Sequence, residues 1–166
     1  MIKKGIILAG GSGTRLSPLT KSVNKQLLPI HDKPMIFYPL SVLMLANIRN
    51  ILMIVNPGQI ENFKALLGDG SRYGIKINYK IQNKPRGLPE AFVLVKSFIN
   101  NDNVALILGD NFFYGQSLAK KLEKSSAHKN GATIFLKEVA SPKNYGVAKI
   151  SKNKIEKIIE KPKKFI

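Results

Sequence analysis

The chain has 166 residues, 44% of them apolar, which is typical of a globular domain and excludes a disordered chain. It has no cysteine, which excludes disulfides and thiolate metal sites, and no apolar run approaches the roughly 18 residues that a membrane span needs. Twenty-seven basic and ten acidic residues give a net charge of +17, but most of the lysines are scattered, as on a solvated surface.

Strand-like and helix-like segments alternate along most of the chain. Short apolar runs between turn residues predict buried parallel strands, and strict alternation predicts a strand with one exposed face. This order predicts a Rossmann-like α/β fold in a single domain, 1–166, with an open, mainly parallel sheet and helices on both faces. The predicted elements are strand 6–8, helix 35–46, strand 51–55, helix 59–67, strand 75–81, helix 89–99, strand 104–108, helix 118–126, and strands 132–139, 146–150 and 155–159.

A glycine-rich turn, Gly-Gly-Ser-Gly-Thr at 10–14, follows the first predicted strand. Glycines there let the backbone turn tightly and point N–H groups at a phosphate. A Walker A loop is excluded because no Gly-Lys-Ser/Thr follows, and the dinucleotide fingerprint is excluded because Leu16 replaces its third glycine. Such a turn alone is structural as often as functional.

Three cations follow this turn along the chain, namely Arg15, Lys21 and Lys25. A guanidinium makes forked contacts with phosphate oxygens, and a lysine acts as a compact point charge. These cations therefore indicate a polyphosphate site on the turn. For Lys21 and Lys25 an ordinary surface position is the alternative.

An acidic residue, Asp110, follows the predicted strand 104–108. Ligands of open α/β sheets bind at the carboxyl ends of the strands, so Asp110 is expected on the same edge as the glycine-rich turn. A carboxylate there can hold Mg²⁺ against phosphates. The alternative is that Asp110 caps the turn that follows.

Together these segments resemble the signature of the sugar nucleotidyltransferases, through residues 8–16 and the Lys-Gln-Leu-Leu-Pro run at 25–29. Segments 32–36, 66–71 and 108–115 resemble the glucose-1-phosphate thymidylyltransferases in particular. The resemblance covers the whole chain and implies the nucleotide-diphospho-sugar transferase version of the predicted fold, cut short at its C-terminal end.

The resemblance implies a role for each matching residue. Arg15 and Lys25 would neutralise charge on the α-phosphate, and Asp110 would be a magnesium ligand. The nucleotide would be bound by Leu8, Gly10, Gly11, Ser12, Gly13, Thr14, Arg15, Gln26, Gln82, Gly87 and Leu88, the last three around the base. The sugar phosphate would be bound by Asn111, Tyr145, Gly146, Glu160 and Lys161.

The implied reaction joins dTTP and glucose 1-phosphate to give dTDP-glucose and pyrophosphate, with Mg²⁺ as cofactor, on the route to dTDP-rhamnose. The sugar phosphate attacks the α-phosphorus in line, so no protein nucleophile is needed. We expect a cytoplasmic protein that uses these small molecules and has neither nucleic acid nor membrane as a partner. A nucleic-acid-binding domain is suggested only by the net charge of +17, and the sequence has no recognisable motif for one.

The chain departs from the family pattern at several positions. Asn24 stands where serine is usual, Arg86 where an acidic residue is commoner, and Pro89-Glu90 where Ala-Gln is commoner. These changes leave the choice between dTTP and UTP open.

Family members also continue beyond this chain, with a second magnesium aspartate and much of the homo-oligomer contact. Two interpretations therefore stay open. The chain is either an enzyme module or a remnant that binds nucleotide or a full-length partner without turnover.

Overall fold

The computed structural model describes residues 1–11, 13–84, 86–128, 130–152 and 154–162, in two compact units, Met1–Lys129 and Asn130–Ile166. The strands are β1 (Lys4–Ala9), β2 (Pro29–Ile30), β3 (Lys33–Pro34), β4 (Asn50–Val55), β5 (Lys76–Ile81), β6 (Val104–Leu108), β7 (Gly146–Ser151) and β8 (Lys154–Glu160). The helices are α1 (Phe37–Leu45), α2 (Ile60–Leu67), α3 (Leu88–Leu94), α4 (Lys96–Ile99) and α5 (Leu118–Ser126). Short 3₁₀ turns lie at Thr14–Leu16, Leu19–Lys21, Lys25–Leu27, Ser71–Tyr73 and Pro142–Asn144.

A four-stranded parallel sheet in the order β5-β4-β1-β6 forms the centre of the first unit. Successive side chains of β1 point to opposite faces: Ile7 packs in a cluster with Phe63 of α2, and Ile6 packs in a second cluster with Val95. Because both faces are covered, these strands carry continuous apolar runs. The predicted Rossmann-like architecture, a mainly parallel sheet with helices on both faces, is confirmed.

The turn after α2 is held by Tyr79 of β5, whose hydroxyl donates a hydrogen bond of 2.7 Å to the Gly68 carbonyl. Burial, with a smaller contribution from the charge of Asp69, raises the pKa of Tyr79 to about 12. Hydrogen bonds from the side chain and backbone N–H of Ser71 lower the pKa of Asp69. Tyr79 therefore remains a protonated donor at neutral pH.

Two sequence predictions differ from the structure. The predicted helix 89–99 is divided into α3 and α4 at Val95, whose φ of −110° and ψ of 22° leave the helical region while its side chain stays 1% exposed. The predicted strand 132–139 is wrong, because these residues belong to no helix or strand. Strand-like residues favour an extended segment, but a strand also requires a neighbouring strand with which to form its hydrogen-bond ladder.

The second unit contains an antiparallel pair, β7 and β8, in the register Gly146↔Glu160 with an irregularity at Lys149/Ile150. The predicted strands 146–150 and 155–159 are confirmed and differ only at their ends. Among the described residues, no helix is both long and apolar enough to cross a membrane.

The buried position of Phe63 predicts a large stability difference between two helical phenylalanines. Phe63 is 0% exposed, whereas Phe92 of α3 is 41% exposed. We expect Phe63→Ala to lower the free energy of unfolding by about 3–5 kcal/mol through loss of packing. Phe92→Ala, the matched control, should cost about 1 kcal/mol or less. Urea unfolding followed by circular dichroism measures both, and equal losses would contradict the assigned core.

Candidate active site

The carboxyl edge of the parallel sheet brings together four residues that follow its strands. Gly10 follows β1, Asn56 follows β4, Gln82 follows β5, and Gly109 follows β6 and precedes Asp110. The ladders extend past the strand ends, since the Gln82 N–H donates to the Val55 carbonyl at 2.9 Å and the Gly109 N–H donates to the Leu8 carbonyl at 2.9 Å. The sequence-predicted residues Gly10, Gln82 and Asp110 therefore share one edge of the sheet.

A cleft of about 260 Å³ opens on this edge. It is lined by residues from the glycine-rich turn, by both predicted catalytic cations and by the predicted magnesium ligand, whereas Lys21 is not part of its wall. The lining residues are Gly10, Gly11, Gly13, Thr14, Arg15, Leu16, Lys25, Gln26 and Asp110. Ser12, also predicted to bind nucleotide, lies outside the described residues.

The glycine-rich turn is held in place by Asn56, which sequence analysis did not identify. Its Oδ1 accepts a hydrogen bond of 3.2 Å from the Gly11 N–H, and its Nδ2 donates one of 3.0 Å to the Gly11 carbonyl. Gly11 has a φ of 115° and Gly13 a φ of 60°, which favour glycine at both positions. The available signal was an asparagine directly after a buried strand, followed by a Pro-Gly turn.

Lys25 and Asp110 form an ion pair on the wall of the cleft, with 2.8 Å between Lys25 Nζ and Asp110 Oδ2. Their side chains are 29% and 36% exposed. Arg15 is also exposed on the same wall. The Asp110 carboxylate thus lies in the cleft, beside a predicted phosphate-binding cation.

Gln26 is 4% exposed beneath the cleft and packs against Gly109. A Cβ at Gly109 would come within 2.9 Å of Gln26 Cγ and 3.1 Å of Ala9 Cα, so a side chain at this position would displace Gln26. Asn24 Oδ1 accepts a hydrogen bond of 2.9 Å from the Gln26 N–H. The asparagine that stands where the family usually has serine therefore caps the 3₁₀ turn Lys25–Leu27. Within the described residues no donor reaches the buried Gln26 Oε1.

Gln82 lies beside the glycine-rich turn, and its side chain is bound by Glu90. Gln82 Nε2 donates to Glu90 Oε2 at 2.6 Å, and the Arg86 N–H donates to the same oxygen at 3.0 Å. A Cβ built on Gly10 would lie 3.3 Å from Gln82 Oε1. The predicted base-site residues Gly87 and Leu88 follow in the same segment, at the start of α3.

The remaining predicted residues fall in separate places. Leu8 belongs to β1, and Asn111 follows Asp110 in the first unit. The other four lie together at one end of the hairpin in the second unit, where Gly146 pairs with Glu160 and the Lys161 N–H donates to the Tyr145 carbonyl at 2.9 Å. The structure therefore groups the sugar-phosphate candidates Tyr145, Gly146, Glu160 and Lys161.

The cleft suits a magnesium ion only if the substrate supplies most of its ligands. Asp110 offers one accessible carboxylate, and the described part of the chain has no cluster of three or more histidine, cysteine or acidic side chains. Mg²⁺ is commonly bound by one or two carboxylates together with substrate phosphates. The residues present fit that mode and do not form an all-protein cage.

The clasp between Asn56 and Gly11 predicts a stability loss when the amide is removed. Asn56→Ala removes two hydrogen bonds to one partly buried turn, so we expect the free energy of unfolding to fall by about 1–3 kcal/mol. The control is Asn62→Ala, because Asn62 is exposed and its side chain, within the described part of the chain, donates a single hydrogen bond of 3.3 Å to Gln59. If urea unfolding gave the two variants equal stabilities, the clasp would not be holding the turn.

Comparison with known proteins agrees with this architecture. The chain is 56% identical to the glucose-1-phosphate thymidylyltransferase of Neisseria meningitidis, over 97% of this chain and 56% of that protein. It is 51% identical to the enzyme of the same name from Xanthomonas campestris, over 98% of this chain and 55% of that protein. The chain thus spans little more than half the length of these relatives.

Solved structures show the same fold. A Bacillus anthracis protein assigned as a glucose-1-phosphate thymidylyltransferase superposes with a TM-score of 0.90 at 39% identity, over 97% of this chain and 65% of that one. A UDP-glucose pyrophosphorylase complexed with UDP-glucose superposes with a TM-score of 0.75 at 25% identity, over 98% of this chain and 70% of that one. The nucleotidyl transferase family model matches residues 4–166, and this chain belongs to that family.

Proposed function

We propose that this chain carries the nucleotide site of a glucose-1-phosphate thymidylyltransferase, which converts dTTP and glucose 1-phosphate into dTDP-glucose and pyrophosphate. The names of the relatives, at 56% and 51% identity, support these substrates. The observation that carries the proposal is the cleft that Arg15, Lys25 and Asp110 line together with the glycine-rich turn. Two cations and one carboxylate beside backbone N–H groups suit a magnesium-bound triphosphate.

The proposed transfer requires no covalent intermediate on the protein. A phosphate oxygen of glucose 1-phosphate forms a bond with the α-phosphorus of dTTP, and the bond from that phosphorus to the pyrophosphate oxygen breaks. The glycine-rich turn would hold the triphosphate, and Arg15 and Lys25 would stabilise the charge that develops around the α-phosphorus. The chain therefore acts by positioning and by electrostatic stabilisation.

The ion pair between Lys25 and Asp110 gives this mechanism a defined starting state. Without substrate, each side chain neutralises the other at 2.8 Å. With dTTP bound, Asp110 would hold Mg²⁺ and Lys25 would contact the phosphates. When bound, Mg²⁺ would supply positive charge that offsets the charge of the triphosphate. Lys25 and Asp110 thus change partners together.

Further parts of the proposal concern the setting of the reaction. We place it in the cytoplasm, in the supply of dTDP-sugars for dTDP-rhamnose and cell-surface polysaccharide. The grouping of Tyr145, Gly146, Glu160 and Lys161 at one end of the hairpin supports a shared sugar-phosphate role. Glu160 suits sugar hydroxyls and Lys161 suits the phosphate.

Pyrophosphate release tests the proposed function directly. The purified chain is incubated with glucose 1-phosphate, Mg²⁺ and each nucleoside triphosphate in turn, and we expect release with dTTP. Asp110→Ala should abolish that release because it removes the carboxylate that shares Mg²⁺ with the triphosphate. A folded chain that binds dTTP but releases no pyrophosphate would instead be a nucleotide-binding module without turnover. A folded chain that neither binds nor turns over dTTP would contradict the proposal.

The partner exchange predicts opposite effects on dTTP binding from the two halves of the ion pair. Lys25→Met removes a phosphate contact and should weaken binding by roughly 10-fold to 100-fold. Asp110→Asn frees Lys25 and removes a repulsive charge, so it should strengthen magnesium-free binding by roughly 3-fold to 10-fold while abolishing the gain from Mg²⁺. Isothermal titration calorimetry with and without Mg²⁺ measures these changes.

Lys21→Met is the matched control for these variants because Lys21 is exposed and lies outside the wall of the cleft. We expect it to bind dTTP as the unmodified chain does. If Lys21→Met and Lys25→Met weakened dTTP binding equally, the effect would come from the overall charge of the chain and not from this site.

A further inference from the structure

The Gln82 side chain is held in one orientation by the acidic group next to it. Gln82 is 4% exposed, and its Nε2 lies 2.6 Å from Glu90 Oε2. A carboxylate accepts hydrogen bonds and cannot donate them when ionised. The NH₂ group of Gln82 must therefore face Glu90, and its carbonyl oxygen must point the other way.

The Glu90 carboxylate is itself fixed by Arg86. The Arg86 N–H donates to Glu90 Oε2 at 3.0 Å, and Arg86 Nε lies 3.9 Å from Glu90 Oε1. The Glu90 side chain is 28% exposed, whereas that of Arg86 is 74% exposed. Glu90 is thus the inner member of this pair, and Gln82 depends on it directly.

The opposite end of the Gln82 amide points at the glycine-rich turn. Oε1 would lie 3.3 Å from a Cβ at Gly10, and Gly10 lines the cleft. The surface that Gln82 offers there is a hydrogen-bond acceptor. If the ligand placed another acceptor there, its lone pair would face that of Gln82 Oε1 and neither atom would have a donor. Burying two unpaired acceptors in this way costs binding free energy.

We propose that Glu90 is a positioning residue that locks Gln82 with its acceptor toward the base, so that the site selects pyrimidines with an N–H at ring position 3. Thymine and uracil carry that N–H, whereas cytosine has a bare acceptor nitrogen at the same place. This inference rests on the proposed function, because it takes Gln82 as a residue that meets the base. It assigns the discrimination against cytosine to Glu90, which acts through its hydrogen bond with Gln82.

The test compares the affinity of the chain for dTTP, UTP and dCTP by isothermal titration calorimetry. Glu90→Gln can donate as well as accept, so it lets the Gln82 amide turn over, and Glu90→Ala removes the partner altogether. We expect both variants to reduce the ratio of dTTP to dCTP affinity by about 10-fold or more, the size expected for one charge-assisted hydrogen bond. The ratio of dTTP to UTP affinity should not change, since both bases offer the same N–H.

Arg86→Gln is the matched control, because it removes the charge paired with Glu90 but leaves the Gln82–Glu90 hydrogen bond. Its ratio of dTTP to dCTP affinity should stay within about 2-fold of that of the unmodified chain. This change is small beside the roughly 10-fold effect expected at Glu90. Equal weakening of all three nucleotides by Glu90→Gln and Glu90→Ala would show a merely structural role and overturn the inference, as would unchanged ratios. If the unmodified folded chain bound no dTTP, the proposed function itself would fail, and this inference with it.

Discussion

The parallel register of β1 between β4 and β6 is the constraint on which the candidate site depends. Leu8 of β1 is level with Ile54 on one side and with Leu108 on the other, so the residues after all three strands meet at one edge. The register is held by burial on both faces, because Ile6 and Ile7 pack into different clusters. A slip of one residue would exchange these two faces and displace the glycine-rich turn from Asn56 and Asp110.

This edge combines a fixed part with a part that can respond to a ligand. The glycine-rich turn is fixed, since the Asn56 amide holds both the N–H and the carbonyl of Gly11. The Lys25–Asp110 pair is partly exposed, and exposed ion pairs contribute little to stability, so separating them costs little. A fixed turn beside two charges that separate at low cost would suit the binding of a metal-bound triphosphate and the release of a product that we propose above.

The sequence predicts those features that depend on local pattern. The strand-then-turn order placed the glycine-rich turn, and the rule for parallel sheets placed Asp110 on the same edge. The Asn56 clasp was missed because its partner is 45 residues away, and an asparagine after a buried strand does not by itself identify that partner. Segment 132–139 was predicted as a strand because its residues are strand-like, whereas the presence of a neighbouring strand is a tertiary property. The Lys25–Asp110 pair, 85 residues apart, likewise emerges only from the fold.

Hydrogen-bond donors and acceptors lie in different parts of the cleft and its surroundings. This separation indicates which ligand groups could bind in each part. The wall formed by the glycine-rich turn, Arg15 and Lys25 offers donors and positive charge, which phosphate oxygens satisfy. Beneath and beside it, the buried Gln26 Oε1 has no donor among the described residues, and Gln82 keeps its NH₂ on Glu90. These two amide oxygens are acceptors, so a ligand group that reached them would have to be a donor. Inorganic triphosphate would satisfy only the first set, whereas a nucleotide with ribose hydroxyls and a base N–H can satisfy both.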